Sequence, residues 1–557
     1  MAEVGKNFVP LAFMLICLSF TANCRKPKES TKVLKFLFYT AGDDGSHHAV
    51  SAKIAASLVE LGHDVTFLLS NSCTKWMNAS DAGLFKFTVH KSKFTADDRQ
   101  STLREISRAS LRGELKGVLN NMRYHLIKQW YKPPGQKNNF NFATDCDSLL
   151  GDNNTIKSLQ AEKFDILVGE DLSECQPLLA QRLGLRFLHI SARGFMPARG
   201  DWHGIPTHPA YIPSRQAGLT DRMNFLQRLK NVYMYGVHKL ANHLQVQYFF
   251  AHLQQKYNLS PELYMSEMLA RAELQIFIGD FELEFARPLQ PNTIMVVMPL
   301  LFQDLHTSPE QEIPQDIQDF LDTVGDEGAV LFSLGSHVNE MKTMQAQLFA
   351  DGFARLPQRV LWQFTGNTSY VRFGNNTKLV KWMPQKQLMN HPKVKAFVNH
   401  GGLLGVLEAG WYGLPMVGIP LFGNHFDNME RVVAKGMGLK LEVSSLTHYD
   451  LYEAVTRVIK EPRFRERAQH ISGMMRDQLE NPADKAAFWV AHVTKFGGSH
   501  LRPRSADMTW VQYYLIDVYA FLCAILFAVM WLLFLVLRCF VRFVIRYCTT
   551  PQKVKQN

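Results

Sequence analysis

Between positions 382 and 425 the chain gathers side chains suited to a phosphorylated ligand that carries an aromatic base: Trp382, Gln385, His400, Glu408, Asn424 and His425. VKAFVNH (394–400) is an apolar run ending at His400, Gly401 and Gly402 follow, and LLGVLEAGW then reads as a helix. A strand, a glycine pair and a helix start bring unpaired backbone N–H groups and a positive dipole end to one point. A diphosphate fits there, because glycines let the backbone approach it closely. His400 can add a charge-assisted hydrogen bond, and Gly405 in the first helical turn belongs to the same set. Glu408, one to two turns into the helix, can accept from the vicinal hydroxyls of a ribose. Trp382 offers a flat face to a uracil, and Gln385 can pair with its polar edge. A second apolar run, PMVGIPLF (415–422), delivers Asn424 and His425 to the same edge of a parallel sheet, where open α/β sheets bind ligands. AVLFSLGS (329–336) ends in another glycine turn, from which Gly335 and Ser336 can donate to phosphate.

A second constellation lies near the N-terminus. VLKFLFYTA (33–41) reads as a strand, GDDGS as a loop, and HHAVSAKIAASLVELG as a helix that opens on His47. Histidine suits the removal of a proton from an attacking hydroxyl, because its ordinary pKa lies near neutrality. His48 projects about 100° round the helix and is the weaker choice. FDILVGEDLSEC (164–175) is a strand whose end carries Glu170 and Asp171. Either can orient the imidazole, since a one-residue slip exchanges them.

In order and spacing these motifs resemble the UDP-glycosyltransferases, the UDP-glucuronosyltransferase family, over nearly the whole chain. The resemblance implies two Rossmann-like α/β domains facing a cleft (the GT-B type), an inverting transfer from a UDP-sugar, and His47 as base with Glu170 as its acid. It also implies Ser336, Trp382, Gln385, His400, Gly401, Gly402, Gly405 and Glu408 on UDP, with Asn424 and His425 on the sugar. The acceptor it implies is a small lipophilic hydroxyl compound: a xenobiotic, steroid, bile acid or sphingolipid. GLTDRMNFLQRLKN (218–231) and GDFELEFARPLQPNT (279–293) are similar to two branches, one using N-acetylglucosamine, glucose or xylose donors and one galactosylating ceramide. The chain departs from the family at Leu404 (commonly Asn), at Asn424 (commonly Asp), and at Val297 and Met298 (commonly a glycine pair). No cofactor or metal is expected: DCD (145–147) lies in the first half, far from the donor motif, and no Cys/His spacing suggests zinc.

The 557 residues suffice for two domains. A hydrophobic content of 46% excludes a largely disordered chain. The net charge of +11 is not patched, and five of the cations lie in the last twenty residues, so nucleic acid is not an expected partner. Residues 1–24 read as a secretory leader. An acceptor-binding domain then occupies 25–290, a linker 291–315, a donor-binding domain 316–495 and a juxtamembrane segment 496–514. A transmembrane helix over 515–537 contains twenty consecutive uncharged residues (518–537), with Trp510, Tyr513 and Tyr514 before it and Arg538, Arg542 and Arg546 after it. The tail 538–557 ends in KVKQN, a dilysine-type retrieval signal. These features predict a single-pass type I protein of the endoplasmic reticulum membrane with lumenal domains. Sequons at Asn78, Asn153, Asn258, Asn367 and Asn375 are then usable, and a disulfide among Cys24, Cys73, Cys146 and Cys175 is allowed without a preferred pairing. Residues 219–257 read as helix, either lining the acceptor pocket or packed amphipathically on core or membrane. Self-association or assembly with relatives is compatible with this anchoring. Two other classes are a weak or inactive lumenal partner of active transferases, motivated by Leu404 and Asn424, and a membrane receptor with a lumenal sensor domain.

Overall fold

The structure, a computed structural model, describes residues 32–40, 46–74, 77, 83–116, 120, 140–171, 173–297, 313–335, 338 and 341–549. The leader, Asn78, Ser336 and the KVKQN tail lie outside the described residues.

Two parallel sheets organise the molecule. The first contains β1 (Lys35–Tyr39), β2 (Asp64–Ser70), β3 (Lys86–His90), β4 (Ile166–Glu170), β5 (Phe187–Ser191), β6 (Gln275–Ile278) and β7 (Thr293–Val296), in the order β3-β2-β1-β4-β5-β6-β7. The second contains β8 (Ala329–Ser333), β9 (Arg359–Gln363), β10 (Thr377–Val380), β11 (Val394–Asn399), β12 (Met416–Gly418) and β13 (Gly438–Lys440), in the order β10-β9-β8-β11-β12-β13. Both are Rossmann windings whose strand order reverses once, between β1 and β4 and between β8 and β11. The central strands β1, β4 and β8 are buried almost throughout because helices cover both faces. Phe36 and Phe38 enter one layer while Leu37 and Tyr39 enter the other, as the two-residue period of a strand requires.

The helices that matter for function are α1 (Ser46–Glu60), α2 (Phe225–Tyr257), α3 (Leu403–Trp411), α4 (His425–Ala434), α5 (Pro462–Arg476), α6 (Pro482–Phe496) and α7 (Ile516–Thr549). Three boundaries differ from the sequence reading. The span read as a linker over 291–315 opens with β7, which completes the first sheet beside β6, because TIMV is short but apolar enough to pair. While α5 packs on α3 within the second half, α6, read as part of the donor-binding domain over 316–495, crosses back to α1 and β7 of the first half. Finally, α7 does not stop at Leu537 but continues through Arg538, Arg542 and Arg546, since neither Gly nor Pro interrupts it before Pro551. It is the one helix among the described residues long and apolar enough to cross a membrane, and none of its apolar stretch is buried.

Candidate active site

The first reversal point is built of side chains. β1 and β4 run in parallel register, with Tyr39 opposite Gly169, so the segment after β1 and the end of β4 reach the same sheet edge. His47 stands in the first turn of α1 and Glu170 closes β4. His47 Nδ1 lies 2.6 Å from Glu170 Oε1. Glu170 is 1% exposed, and its main-chain oxygen accepts from the Gln176 amide. Burial pushes the Glu170 carboxyl pKa up, against the pull of His47. A carboxylate at Nδ1 sets the imidazole tautomer and makes Nε2 the basic nitrogen. Asp171 faces elsewhere: it accepts from Ser191 Oγ at 2.9 Å and lies 3.4 Å from Arg193 Nη2. Its burial raises the pKa, but Arg193, Arg199 and Ser191 outweigh that and hold it below the usual range. His48 is buried, with its ring 4.9 Å from Phe67. A disulfide joins Cys146 to Cys175, tying the loop after Glu170 to the helix over 142–151; the spacing of the cysteines alone had left this pairing open.

The second reversal point is built largely of backbone. Gly335 follows β8 and Gly401 follows β11, both with φ near the left-handed region (+81° and +80°). The His400 imidazole lies between glycines: a Cβ at Gly335 would stand 2.6 Å from its Cε1, and one at Gly402 2.7 Å. Two asparagines absent from the sequence reading fix this turn. Asn399 Oδ1 accepts from Gly401 N at 2.5 Å, and Asn428 Nδ2 donates to Gly401 O at 2.8 Å. The available signal for Asn399 was a polar residue at the end of an otherwise apolar strand. Past the turn, the first-turn N–H groups of Leu403, Leu404 and Gly405 have no intrahelical partner by construction and point along the helix start. Leu404 itself is 8% exposed and belongs to the apolar core, so its side chain packs where an asparagine would hydrogen-bond. Glu408 is buried in α3 and accepts from Gln385 Nε2. Burial lifts its carboxyl pKa to about 7, with Gln385 and Lys386 opposing. Trp382 is 73% exposed, so its ring offers an uncovered face. His425 is 6% exposed, with its ring edge-on to His400 at 4.4 Å and against Phe422 at 4.3 Å. In this geometry it packs against His400.

The two edges meet. Asn424 Nδ2 donates to the carbonyl of Arg193 at 3.0 Å, joining the donor loop to the loop after β5. Gln216 donates from its side chain to Gly423 O at 2.9 Å and from its backbone to Asp427 Oδ1 at 2.6 Å. Arg431 forms an ion pair with Glu284 of the first half, both nearly excluded from solvent. The predicted residues His47, Glu170, Gln385, His400, Gly401, Gly402, Gly405, Glu408, Asn424 and His425 therefore converge on two facing sheet edges. The DCD acids are taken up elsewhere, Asp147 by Lys93, Lys256 and Tyr257. Asn153, Asn258, Asn367 and Asn375 are exposed, as glycan attachment requires.

Known proteins share this arrangement. Several solved structures superpose on both halves. The glycotransferase of kitacinnamycin matches with a TM-score of 0.54 at 16% identity, covering 83% of this chain and 99% of that one. CalG4, the calicheamicin glycosyltransferase, matches with a TM-score of 0.53 at 19% identity, again covering 83% and 99%. These likenesses establish the two-domain GT-B fold. In sequence, human 2-hydroxyacylsphingosine 1-beta-galactosyltransferase is 33% identical over 474 residues, 85% of this chain and 82% of the relative. Human UDP-glucuronosyltransferase 2B15 is 33% identical over 486 residues, 86% and 88%. Rabbit (Oryctolagus cuniculus) UDP-glucuronosyltransferase 2C1 is 34% identical over 466 residues, 81% and 90%. The family model described as "UDP-glucoronosyl and UDP-glucosyl transferase" matches residues 35–554, from β1 through both reversal points and past α7. The chain belongs to the UDP-glucuronosyl and UDP-glucosyl transferase family and is a hexosyl-transferring enzyme.

Proposed function

We propose that the chain is an inverting UDP-glycosyltransferase of the endoplasmic reticulum membrane, its two domains lumenal, acting on a hydroxyl of a small lipophilic acceptor. The observation that carries this reading is the 2.6 Å contact of His47 with buried Glu170, at a sheet edge that faces the glycine-lined turn at His400. In the reaction His47 Nε2 removes the acceptor's hydroxyl proton as that oxygen attacks the anomeric carbon. The bond from that carbon to the UDP oxygen breaks on the opposite face, so the configuration inverts. Glu170 stabilises the imidazolium that forms. The departing diphosphate gains its charge beside the start of α3 and the His400 imidazole. Glu408 and Gln385 engage ribose and uracil, Trp382 covers the base, and Asn424 contacts the sugar. Leaving-group stabilisation is assigned to these groups without a resident metal. Among the relatives' names, 2-hydroxyacylsphingosine 1-beta-galactosyltransferase favours a sphingolipid acceptor. They are names of active transferases, so they lend no support to an inactive partner.

The test is transfer by microsomes containing the full chain, with a panel of labelled UDP-sugars and a mixed pool of phenol, steroid, bile-acid and ceramide acceptors. A product that forms with one donor and is lost in His47→Ala supports the reading. A folded, glycosylated chain that makes no product with any donor refutes it.

A further inference from the structure

Successive residues at a strand end send their side chains in different directions, and the two carboxylates at the end of β4 do so. Glu170 takes His47, while Asp171 turns to the loop after β5. Proton transfer uses the first carboxylate and not the second. Asp171 nonetheless holds that loop at three points. Its Oδ2 accepts from Ser191 Oγ at 2.9 Å, its Oδ1 stands 3.4 Å from Arg193 Nη2, and its main-chain oxygen accepts from the same Nη2. Ser191 Oγ also lies 3.2 Å from the Gly194 carbonyl, which closes the loop on itself. The Arg193 and Asp171 side chains are 18% and 17% exposed, so solvent and salt screen the pair little.

The donor half rests on the loop held in this way. The Arg193 carbonyl accepts from Asn424 Nδ2 at 3.0 Å. Asn424 is the N-cap of α4, and asparagine is among the best N-cap residues, yet its side chain makes no capping bond to its own helix. It donates instead to a carbonyl 231 positions earlier in the chain. Gly194 adopts a left-handed φ of +69°, and a Cβ there would stand 3.4 Å from both Glu284 Oε1 and Leu403 Cδ2. The loop therefore also packs close on the first residue of α3. One strand end thus carries two lines of contact, from Glu170 to the base and from Asp171 through Arg193 to the donor loop.

We propose that Asp171 is a positioning residue for sugar transfer, a role that rests on the reaction proposed above. It shapes residues 191–194 so that the Arg193 carbonyl receives Asn424, and it thereby fixes the donor loop at a set distance from His47. Attack on the anomeric carbon needs the acceptor oxygen and that carbon in near-contact, and small displacements of the sugar are costly. The crossing bond depends on the amide of Asn424, since a carboxylate at that position would set two acceptors against each other.

The experiment uses the full chain in detergent micelles, as wild type and as Asp171→Asn, which keeps the shape of the side chain and removes its charge. Hydrogen exchange of peptides covering residues 419–428 is followed by mass spectrometry in the unliganded protein, and it should be about fivefold faster in the variant. With the donor identified by the microsome panel, KM for the UDP-sugar should rise about fivefold while kcat stays within about twofold, because the contact acts on donor binding. The Kd for UDP and the pH profile of kcat should not move, since they report the start of α3 and the His47–Glu170 pair. Asp171→Asn combined with Asn424→Ala should raise KM no further than Asn424→Ala alone, because both break one line of contact. Ser191→Ala, a smaller lesion, should shift exchange and KM in the same direction and stands in if Asp171→Asn does not fold. Unchanged exchange over 419–428, or KM effects that multiply in the double variant, would overturn the proposal. A wild-type chain that transfers no sugar refutes the transfer reaction and this role with it, whereas an active wild type with unchanged exchange in the variants refutes the Asp171 linkage alone.

Discussion

The two halves of the molecule share one winding and use it differently. In the first sheet the reversal point between β1 and β4 is occupied by charged and titratable side chains: His47 on Glu170, and Asp171 on Arg193. In the second sheet the equivalent point between β8 and β11 is occupied by glycine backbone around one imidazole. In the proposed reaction a proton is moved at the first point, which suits a reactive side chain with an oriented partner. A diphosphate is held at the second, which suits N–H groups at close approach. The same crevice becomes a catalytic or a binding surface according to whether side chains or main chain line it.

The comparison breaks if the two points can be exchanged in effect, so the sharpest test is to damage each separately. His47→Ala should lower kcat by about 10²–10⁴-fold while the Kd for UDP, read by calorimetry, stays unchanged. Loss of UDP binding in that variant would contradict the division of labour. Glu170→Gln should lower kcat by about 10²-fold with UDP affinity preserved, since the amide neither stabilises the imidazolium nor sets the tautomer. On the other side, Gly402→Ala places a methyl group against His400. It should weaken UDP about tenfold or more, about 1.4 kcal/mol, and lower kcat at saturating donor far less than His47→Ala does.

A smaller effect comes from pH. The Glu408 carboxyl, lifted to about 7 by burial, is mostly protonated below neutrality in the unliganded protein. Ribose hydroxyls donate to the carboxylate form, so UDP affinity should rise between pH 6 and pH 8, by up to about tenfold. Glu408→Gln should flatten that contribution, and an unchanged pH profile would remove Glu408 from the site. The smallest expected effect is that of a chelator: transfer should persist after EDTA, because the leaving group is stabilised from the start of α3.

Much of this was legible in the residues. Largely apolar runs that end in glycine, histidine or a carboxylate identified β1, β4, β8 and β11, because a strand buried on both faces has few polar positions before its end. The pair His47–Glu170 followed from the resemblance, although the residues alone did not separate Glu170 from Asp171. The structure does so by turning Asp171 toward Arg193 and Ser191. The strands β3, β6, β7, β9, β10 and β13 were not read, since runs of three to five residues carry little periodic signal. Asn399 and Asn428 were missed for another reason: they bond the backbone N–H and carbonyl of Gly401, and a separation of 29 positions in the chain hides that relation.

The bond between Cys146 and Cys175 has a bearing on how the chain matures. Cys175 lies five positions beyond Glu170, and the bridge pins that stretch to a helix 29 residues earlier in sequence. A cross-link over a loop of that size restricts the unfolded chain by about 3–4 kcal/mol, a sizeable share of a domain's net stability. A chain translated into a reducing cytosol would lack that constraint next to Glu170. Whether the enzyme emerges competent therefore depends on the oxidising history of the place where it folds, before any substrate is met.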